Sequence, residues 1–126
     1  MFTEDLTKRI HKKVIASDRI HLQTDPDNGV RIPVLVPVGD WRRLTVYVTH
    51  SVDGTTKCTV FHPFNQVPES IRIFAAIVCP LFNQMKKTRI GGYYDAPYTF
   101  AAWLHHALIS IHPFNDGNGR MTRLVS

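Results

Sequence analysis

The stretch IHPFNDGNGRMTRLVS, residues 111 to 126, decides how the rest of this chain is interpreted. Its letters HPFN occur once before, in FHPFNQVPES at residues 61 to 70. The second copy continues into DGNGR, whereas the first continues into QVP. We predict that the second copy is an active-site loop and that the first is only a turn leading into a helix.

The second copy brings together side chains suited to chemistry on phosphorus. His112 lies where a helix is expected to end, and histidine is the side chain best suited to proton transfer near neutral pH. Asp116 offers a hard oxygen for Mg²⁺. Gly117, Asn118 and Gly119 allow a sharp turn with inward N–H groups, next to the start of a helix expected near Arg120. Arg120 and Arg123 would lie on one face of that helix, where guanidinium groups can bind phosphate oxygens.

At these residues the chain resembles the Fic family, whose signature is HxFx[DE]GNGRxxR. HPFNDGNGRMTR, residues 112 to 123, matches every signature position. The resemblance includes DAPYTFAAWLHHALISIHPF and the segment around FHPFNQVPESI, so it covers roughly residues 40 to 126, and residues 1 to 39 stay unassigned. It implies one domain over residues 1 to 126, mostly α, a Fic-like helical domain with a β-hairpin flap. The chain stops soon after Arg123, so we also expect this domain to be truncated at its C-terminus and to be a poor enzyme alone.

The resemblance also implies a reaction and a role for each motif residue. His112 would be the general base that deprotonates a Ser, Thr or Tyr hydroxyl of a target protein. Asp116 would hold Mg²⁺ between the phosphates of ATP, and the loop at 117–119 would form the anion hole. Arg120 and Arg123 would bind the nucleotide phosphates. Family members mostly transfer AMP from ATP to protein, whereas the Doc branch, with a lysine at the position of Gly119, transfers phosphate; glycine here favours AMP transfer.

The remaining chain reads as helices with one hairpin. Apolar spacing predicts a helix over residues 3 to about 22, capped by Thr3. Residues 24 to 40 are rich in turn formers and proline and are predicted as loop, with an edge strand over Val34–Val38 as an alternative. Two further helices are predicted, one from near Pro68 and one ending before Pro113. Their apolar faces comprise Ile71, Phe74, Ala75, Val78, Leu81, Phe82 and Met85, and Ala101, Leu104, Leu108 and Ile111.

Residues 44 to 61 predict the hairpin, because β-branched and aromatic residues flank an Asp53-Gly54 turn. In the family this flap docks the target protein as an added strand, which needs little side-chain specificity. The family's inhibitory pattern [ST]xxxE[GN] is absent, since the glutamates Glu4 and Glu69 are followed by Asp5 and Ser70. An inhibitory partner would therefore act in trans or lie beyond Ser126.

Composition sets the wider limits. The net charge of +5 favours anionic partners such as nucleotides. No apolar run approaches the roughly 20 residues of a membrane span, and the N-terminus lacks a secretory signal. We expect a cytoplasmic protein, or one exported by a specialised system, and no membrane partner.

Four alternatives remain open at this stage. A nucleic-acid-binding module would use the basic charge with Tyr47 and Phe61, but no nucleic-acid signature is present. A metal hydrolase would use His105, His106, His112 and Asp116, although adjacent helical residues point about 100° apart. The third is a Fic-like scaffold that is catalytically inactive or incomplete, and the same site could also carry phosphoryl or other nucleotidyl transfer.

Overall fold

The computed structural model describes residues 2–16, 19–25, 27–87 and 95–126, and within them the chain is mostly helical with two small hairpins. The predicted fold class is confirmed, whereas the predicted connector at residues 88 to 94 lies outside the described residues. The elements, in chain order, are α1 (Glu4–Val14), β1 (Ile20–Thr24), β2 (Arg31–Leu35), β3 (Tyr47–Val52), β4 (Thr55–Val60), a 3₁₀ turn (Phe64–Gln66), α2 (Val67–Lys87), α3 (Asp95–Ile111) and α4 (Asn118–Val125).

The core lies between α2, α3 and α4, with the loop before α4 inserted into it. Its buried side chains are Val67, Ile71, Phe74 and Val78 of α2, Leu104, Leu108 and Ile111 of α3, Phe114 of the loop and Met121 of α4. The predicted face of α3 is therefore confirmed at its three largest side chains. The predicted face of α2 is buried only in its first half, because Leu81 and Phe82 are 38% and 48% exposed.

The first helix is shorter than predicted. α1 ends at Val14, and the residues from 20 onward, which the pattern had assigned to the same helix, form β1. Helical spacing from Val14 calls for an apolar side chain at position 17 or 18, where the chain has serine and aspartate. The predicted cap is confirmed, because the Leu6 N–H donates to the Thr3 hydroxyl oxygen at 3.1 Å.

The most buried side chains of α1 are polar. Thr7 and His11 are fully buried, whereas the predicted apolar stripe at Leu6, Ile10 and Val14 is only partly buried. The Thr7 hydroxyl donates to a backbone carbonyl at 2.8 Å, and both ring nitrogens of His11 are hydrogen-bonded. Because these groups are satisfied, their burial carries little penalty, and the helix presents His11 to the loop that precedes α4.

An N-terminal hairpin replaces much of the predicted loop. β1 and β2 pair antiparallel, with Leu22 opposite Pro33. The Asp25 N–H donates to the Val30 carbonyl, and the alternation along the ladder then makes Leu22 and Pro33 a pair without hydrogen bonds. Proline is tolerated there because its missing N–H would face away from β1. The prediction of a loop is therefore wrong over residues 31 to 35, and the alternative strand over Val34–Val38 is confirmed only at Val34 and Leu35.

The predicted β3–β4 hairpin is confirmed. Val52 pairs with Thr55 across a two-residue turn, in which Asp53 and Gly54 have φ of 51° and 74°. Positive φ at both positions is typical of the type I′ turn that joins hairpin strands. All residues of both strands are exposed, so the hairpin projects from the helical body.

The first HPFN is a turn, as predicted. It enters the 3₁₀ turn between β4 and α2, where the Gln66 N–H donates to the Pro63 carbonyl at 3.0 Å. Among the helices of the described ranges, none combines the length and hydrophobicity that a membrane span requires.

Candidate active site

The active-site loop begins where α3 ends. His112 has φ of 50°, a left-handed conformation that is unusual for a residue with a side chain. Its N–H still donates to the Leu108 carbonyl at 3.2 Å, so the turn follows the last helical hydrogen bond directly. The next two residues, Pro113 and Phe114, are buried. Phe114 anchors the loop, because its ring stacks on the ring of His11 with centroids 3.7 Å apart.

The His112 ring lies at the base of the β3–β4 hairpin. It stacks on Phe61 with centroids 4.0 Å apart. Its Nδ1 is buried and makes no hydrogen bond of normal geometry with the described residues. Burial lowers the pKa of His112 below its ordinary value, and the positive charge of Arg42 lowers it further, against smaller effects of Ile109 and Asp116. The imidazole is therefore neutral near pH 7, the state that accepts a proton.

Asn118 closes the loop from inside. It is 3% exposed, and its side chain accepts from the Phe114 N–H at 2.9 Å and donates to the Phe114 carbonyl at 2.7 Å. The predicted anion site can therefore use the Asn118 backbone N–H, but not its side chain.

Gly117 is required by both conformation and space. Its φ is 76°, and a Cβ at this position would lie 2.4 Å from Cδ1 of Ile15. Gly117 is the N-terminal cap of α4, and its carbonyl accepts from the Met121 N–H at 2.9 Å. The loop thus turns into α4 against the end of α1, and the first N–H groups of α4 have no acceptor within the helix.

The Asp116 carboxylate lies beside these N–H groups and is 39% exposed. One oxygen accepts from the Gly117 N–H at 2.5 Å. The other lies 3.6 Å from Nη2 of Arg120 and 4.0 Å from Nδ1 of His21, which β1 brings to the site. His21 was missed by the sequence analysis, since nothing in the motif connects it to the loop.

Both predicted arginines lie on α4 next to the loop. The Arg120 side chain is 37% exposed and faces Asp116. Arg123 is exposed, and its Nη1 lies 3.6 Å from the place where a Cβ on Gly119 would be. The guanidinium group of Arg123 therefore lies over the second glycine of the loop. The structure thus places Arg120 beside Asp116, and Arg123 beside Gly119.

His11 is a structural residue that sequence reasoning missed. Its Nε2 lies 2.9 Å from the Asp116 carbonyl oxygen, and its Nδ1 accepts from the Gly39 N–H at 2.9 Å. These partners select the neutral tautomer with the proton on Nε2. Burial lowers the pKa of His11, in agreement with that neutral form. His11 thus ties α1 and the turn at Gly39 to the backbone of the loop.

Arg42 is the second residue that was missed. It is 1% exposed, and its side chain donates to backbone carbonyls around His112. No motif marks it, because an arginine that binds carbonyl groups leaves no characteristic spacing in a sequence.

The metal-hydrolase alternative requires a cluster of metal-binding side chains. In the parts of the chain that the structure describes, no three His, Cys, Asp or Glu residues are placed to hold a metal ion. His106 is exposed on α3.

A sequence profile of the Fic/DOC family matches residues 1–126. The chain belongs to the Fic/DOC family. The match includes the first 39 residues, to which no motif had assigned a family.

Several relatives of this Fic/DOC chain match over shorter segments. A Fido domain-containing protein of Dictyostelium discoideum is 51% identical over 45 residues, which are 36% of this chain and 29% of that protein. A protein adenylyltransferase Fic of Nematostella vectensis is 59% identical over 29 residues, 23% of this chain and 7% of that protein. Its namesake from Aedes aegypti is 55% identical over 29 residues, 23% of this chain and 6% of that protein. The matches span less than a third of the length of each relative. Membership of the family and the names of these relatives support a transferase function at the level of the family only.

Proposed function

We propose that this Fic/DOC chain transfers AMP from ATP to a hydroxyl group of a target protein. The observation that supports this most directly is the position of His112. A neutral imidazole lies at the start of a loop whose other end is a helix N-terminus with two arginines. A proton acceptor and an anion-binding site are thereby joined by five residues of chain. That pairing fits nucleophilic attack on a phosphate group.

In the proposed step, Nε2 of His112 takes the proton of a Ser, Thr or Tyr hydroxyl. The hydroxyl oxygen forms a bond to the α-phosphorus of ATP, and the bond from that phosphorus to the bridging oxygen breaks. Pyrophosphate leaves with the electron pair. Since the pKa of His112 is lowered, the base is available at neutral pH and is lost only as the pH falls through that lowered value.

The phosphates would bind where the loop enters α4. The first N–H groups of α4 and the positive end of its dipole favour an anion there. Arg120 and Arg123 would add two guanidinium groups, which match phosphate oxygens in pairs. Glycine at position 119 leaves room for a phosphate against the backbone. Among the described residues outside the adjacent helix backbone, only the Arg123 side chain lies within 4 Å of where a Cβ would be.

Magnesium is the ion that the chemistry of this site implies, and Asp116 is the residue that fits it. The carboxylate is 39% exposed beside the proposed phosphate site, so an oxygen can reach a bound ion. When bound, Mg²⁺ would neutralise charge on the nucleotide phosphates.

The β3–β4 hairpin is the proposed docking site for the target. Its strands are exposed along their length, and Phe61 at its end contacts the His112 ring. A target segment added as a strand would carry its hydroxyl toward the proposed base.

Two substitutions separate proton transfer from phosphate binding. His112→Ala is expected to lower AMP transfer by a factor of about 10²–10⁴ while ATP affinity is retained, because the base is lost and the phosphate site is not. Arg120→Ala is expected to weaken ATP binding itself. The measurements are transfer of label from α-labelled ATP and calorimetric titration with ATP and Mg²⁺.

The exposed His106 on α3 provides the matched control, and His106→Ala should leave both measurements unchanged. Transfer at the parent rate by His112→Ala would refute the proposed base. Unchanged ATP affinity in Arg120→Ala would refute the phosphate assignment.

A further inference from the structure

Arg42 is a buried cation that finds its partners among backbone carbonyl groups. Its side chain is 1% exposed, and within the described residues it forms no ion pair with a carboxylate. Nε donates to the His112 carbonyl at 2.6 Å, and Nη1 donates to the Leu44 carbonyl at 2.7 Å. Nη2 donates to the carbonyls of His62 and Ile111. Burying an arginine without a carboxylate is costly unless its donors are satisfied, and here four carbonyls accept hydrogen bonds from its side chain, which has five N–H donors.

Two of these carbonyls belong to the end of α3. The last carbonyls of a helix have no partner within it, and they form the negative end of its dipole. The last turn of α3 contains no basic residue of its own. Arg42 supplies the missing positive charge and donors, at the carbonyls of Ile111 and His112.

The other contacts of Arg42 surround the same histidine. The His62 carbonyl follows Phe61, on which the His112 ring is stacked. The backbone N–H of Arg42 donates to the Pro113 carbonyl at 3.0 Å. Arg42 therefore holds the residue before His112, the residue after it and the strand end that contacts its ring.

The backbone of His112 needs such support. Its φ of 50° is a conformation that costs energy for a residue with a Cβ, and surrounding contacts must maintain it. Rotation at this position would swing the ring away from Phe61. A hydrogen bond at the His112 carbonyl restrains that rotation directly.

We propose that Arg42 is the positioning residue of His112. Its guanidinium group fixes His112 in the left-handed turn by binding the carbonyls of Ile111 and His112 together with the His62 carbonyl beside the stacked Phe61 ring. It also couples this turn to the end of the β3–β4 hairpin, so that the two copies of HPFN are joined through one guanidinium group. The role for His112 as base rests on the proposed function, whereas the position of its ring does not.

The conservative variant Arg42→Lys tests this proposal. Lysine keeps the charge but not the planar fork, so it cannot bind carbonyls on both sides at once. With saturating ATP, transfer of the α label is expected to fall by a factor of about 10–100, since a shift of about 1 Å can cost a factor of about 100. ATP affinity should stay within about twofold, because the proposed phosphate site is on α4. A loss of rate without a loss of binding indicates an interaction that stabilises the transition state.

Nuclear magnetic resonance provides a readout that does not depend on activity. Protons of the His112 ring should be shifted upfield by the stacked Phe61 ring in the parent chain, and Arg42→Lys should lose part of that shift. Arg43, the exposed neighbour of Arg42, provides the control, and Arg43→Lys should alter neither the shift of the His112 ring nor the rate of transfer.

The outcomes separate this proposal from the proposed function. An unchanged His112 ring shift in a folded Arg42→Lys chain would overturn the positioning role. So would a rate that falls only in proportion to the unfolded fraction, measured by circular dichroism. If the parent chain transfers no label but Arg42→Lys still displaces the ring, the positioning role stands and the proposed function fails.

Discussion

At the scale of single residues, the active-site loop depends on two kinds of contact. Local side chains close the loop, as Asn118 does by hydrogen bonds to both the N–H and the carbonyl of Phe114. Residues from distant parts of the chain then fix it in place, with His11 bound to the Asp116 carbonyl and Arg42 bound to the His112 carbonyl. The chemistry is local in sequence, but its support is not.

Two glycines with nearly equal φ allow the contribution of the packing behind the loop to stability to be measured. Gly117 and Gly54 have φ of 76° and 74°, but a Cβ on Gly54 would meet no atom of the described residues within 4 Å. Alanine at either position incurs the cost of a left-handed conformation, about 1–2 kcal/mol. Gly117→Ala must also displace Ile15, and overpacking of this kind adds about 1–3 kcal/mol.

The prediction is therefore that Gly117→Ala lowers the free energy of unfolding by more than Gly54→Ala, by that additional amount. Urea titration of both variants measures the difference. Equal losses would show that the end of α1 does not pack under the loop as described.

The motif residues could be predicted from the sequence because their chemistry requires them in one order. His11 and Arg42 could not, because a side chain that binds a backbone carbonyl is specified by the fold and not by its neighbours in sequence. The motif did not indicate the second role of Asn118, whose side chain closes the loop by hydrogen bonds to the backbone of Phe114.

At the scale of elements, the strands of the β3–β4 hairpin differ in which backbone groups they expose. The hairpin has two strands, so each is an edge. The Phe61 N–H donates to the Val46 carbonyl, and this fixes which opposing pairs are hydrogen-bonded. By that alternation Thr49 and Cys58 are a pair without hydrogen bonds, and their N–H groups point outward from opposite edges.

Proline at one of these positions removes an outward N–H and leaves the ladder of the hairpin intact. If the target docks on β4, Cys58→Pro should lower transfer to it while ATP binding is unchanged. Thr49→Pro on the other edge is the matched control and should retain transfer. Cys58→Ala separates the loss of the thiol from the loss of the N–H and should also retain transfer. Undiminished transfer by Cys58→Pro would refute docking on this edge.

The hairpins show why one element was predicted and the other was not. β3 and β4 are rich in β-branched residues around an Asp-Gly turn, which local chemistry alone specifies. β2 contains Pro33, and a proline suggests a loop. Its position opposite Leu22, in a pair without hydrogen bonds, is known only from the structure. α2 and α3 were predicted because their apolar spacing persists over several turns, whereas the repeat in α1 is too short to locate its end.

At the scale of the whole molecule, the structure places a small helical body behind one loop and a projecting hairpin beside it. The core residues of α2, α3 and α4 surround Phe114, so the loop is anchored by the same side chains that stabilise the fold. Residues 1–39, unassigned from the sequence, supply α1 and the N-terminal hairpin, which contact the loop through His11 and His21. The family match over residues 1–126 includes both these N-terminal elements and the loop.

The proposed AMP transfer is tested most directly by transfer of isotope from ATP labelled at either the α or the γ phosphate. The chain is incubated with Mg²⁺, each form of ATP and a total protein extract as acceptor, beside His112→Ala under the same conditions. AMP transfer with His112 as base predicts protein-bound label from the α position, none from the γ position above the level of His112→Ala, and loss of the α label in His112→Ala. Label that depends on His112 but comes from the γ phosphate, or no label that depends on His112 at all, would contradict it.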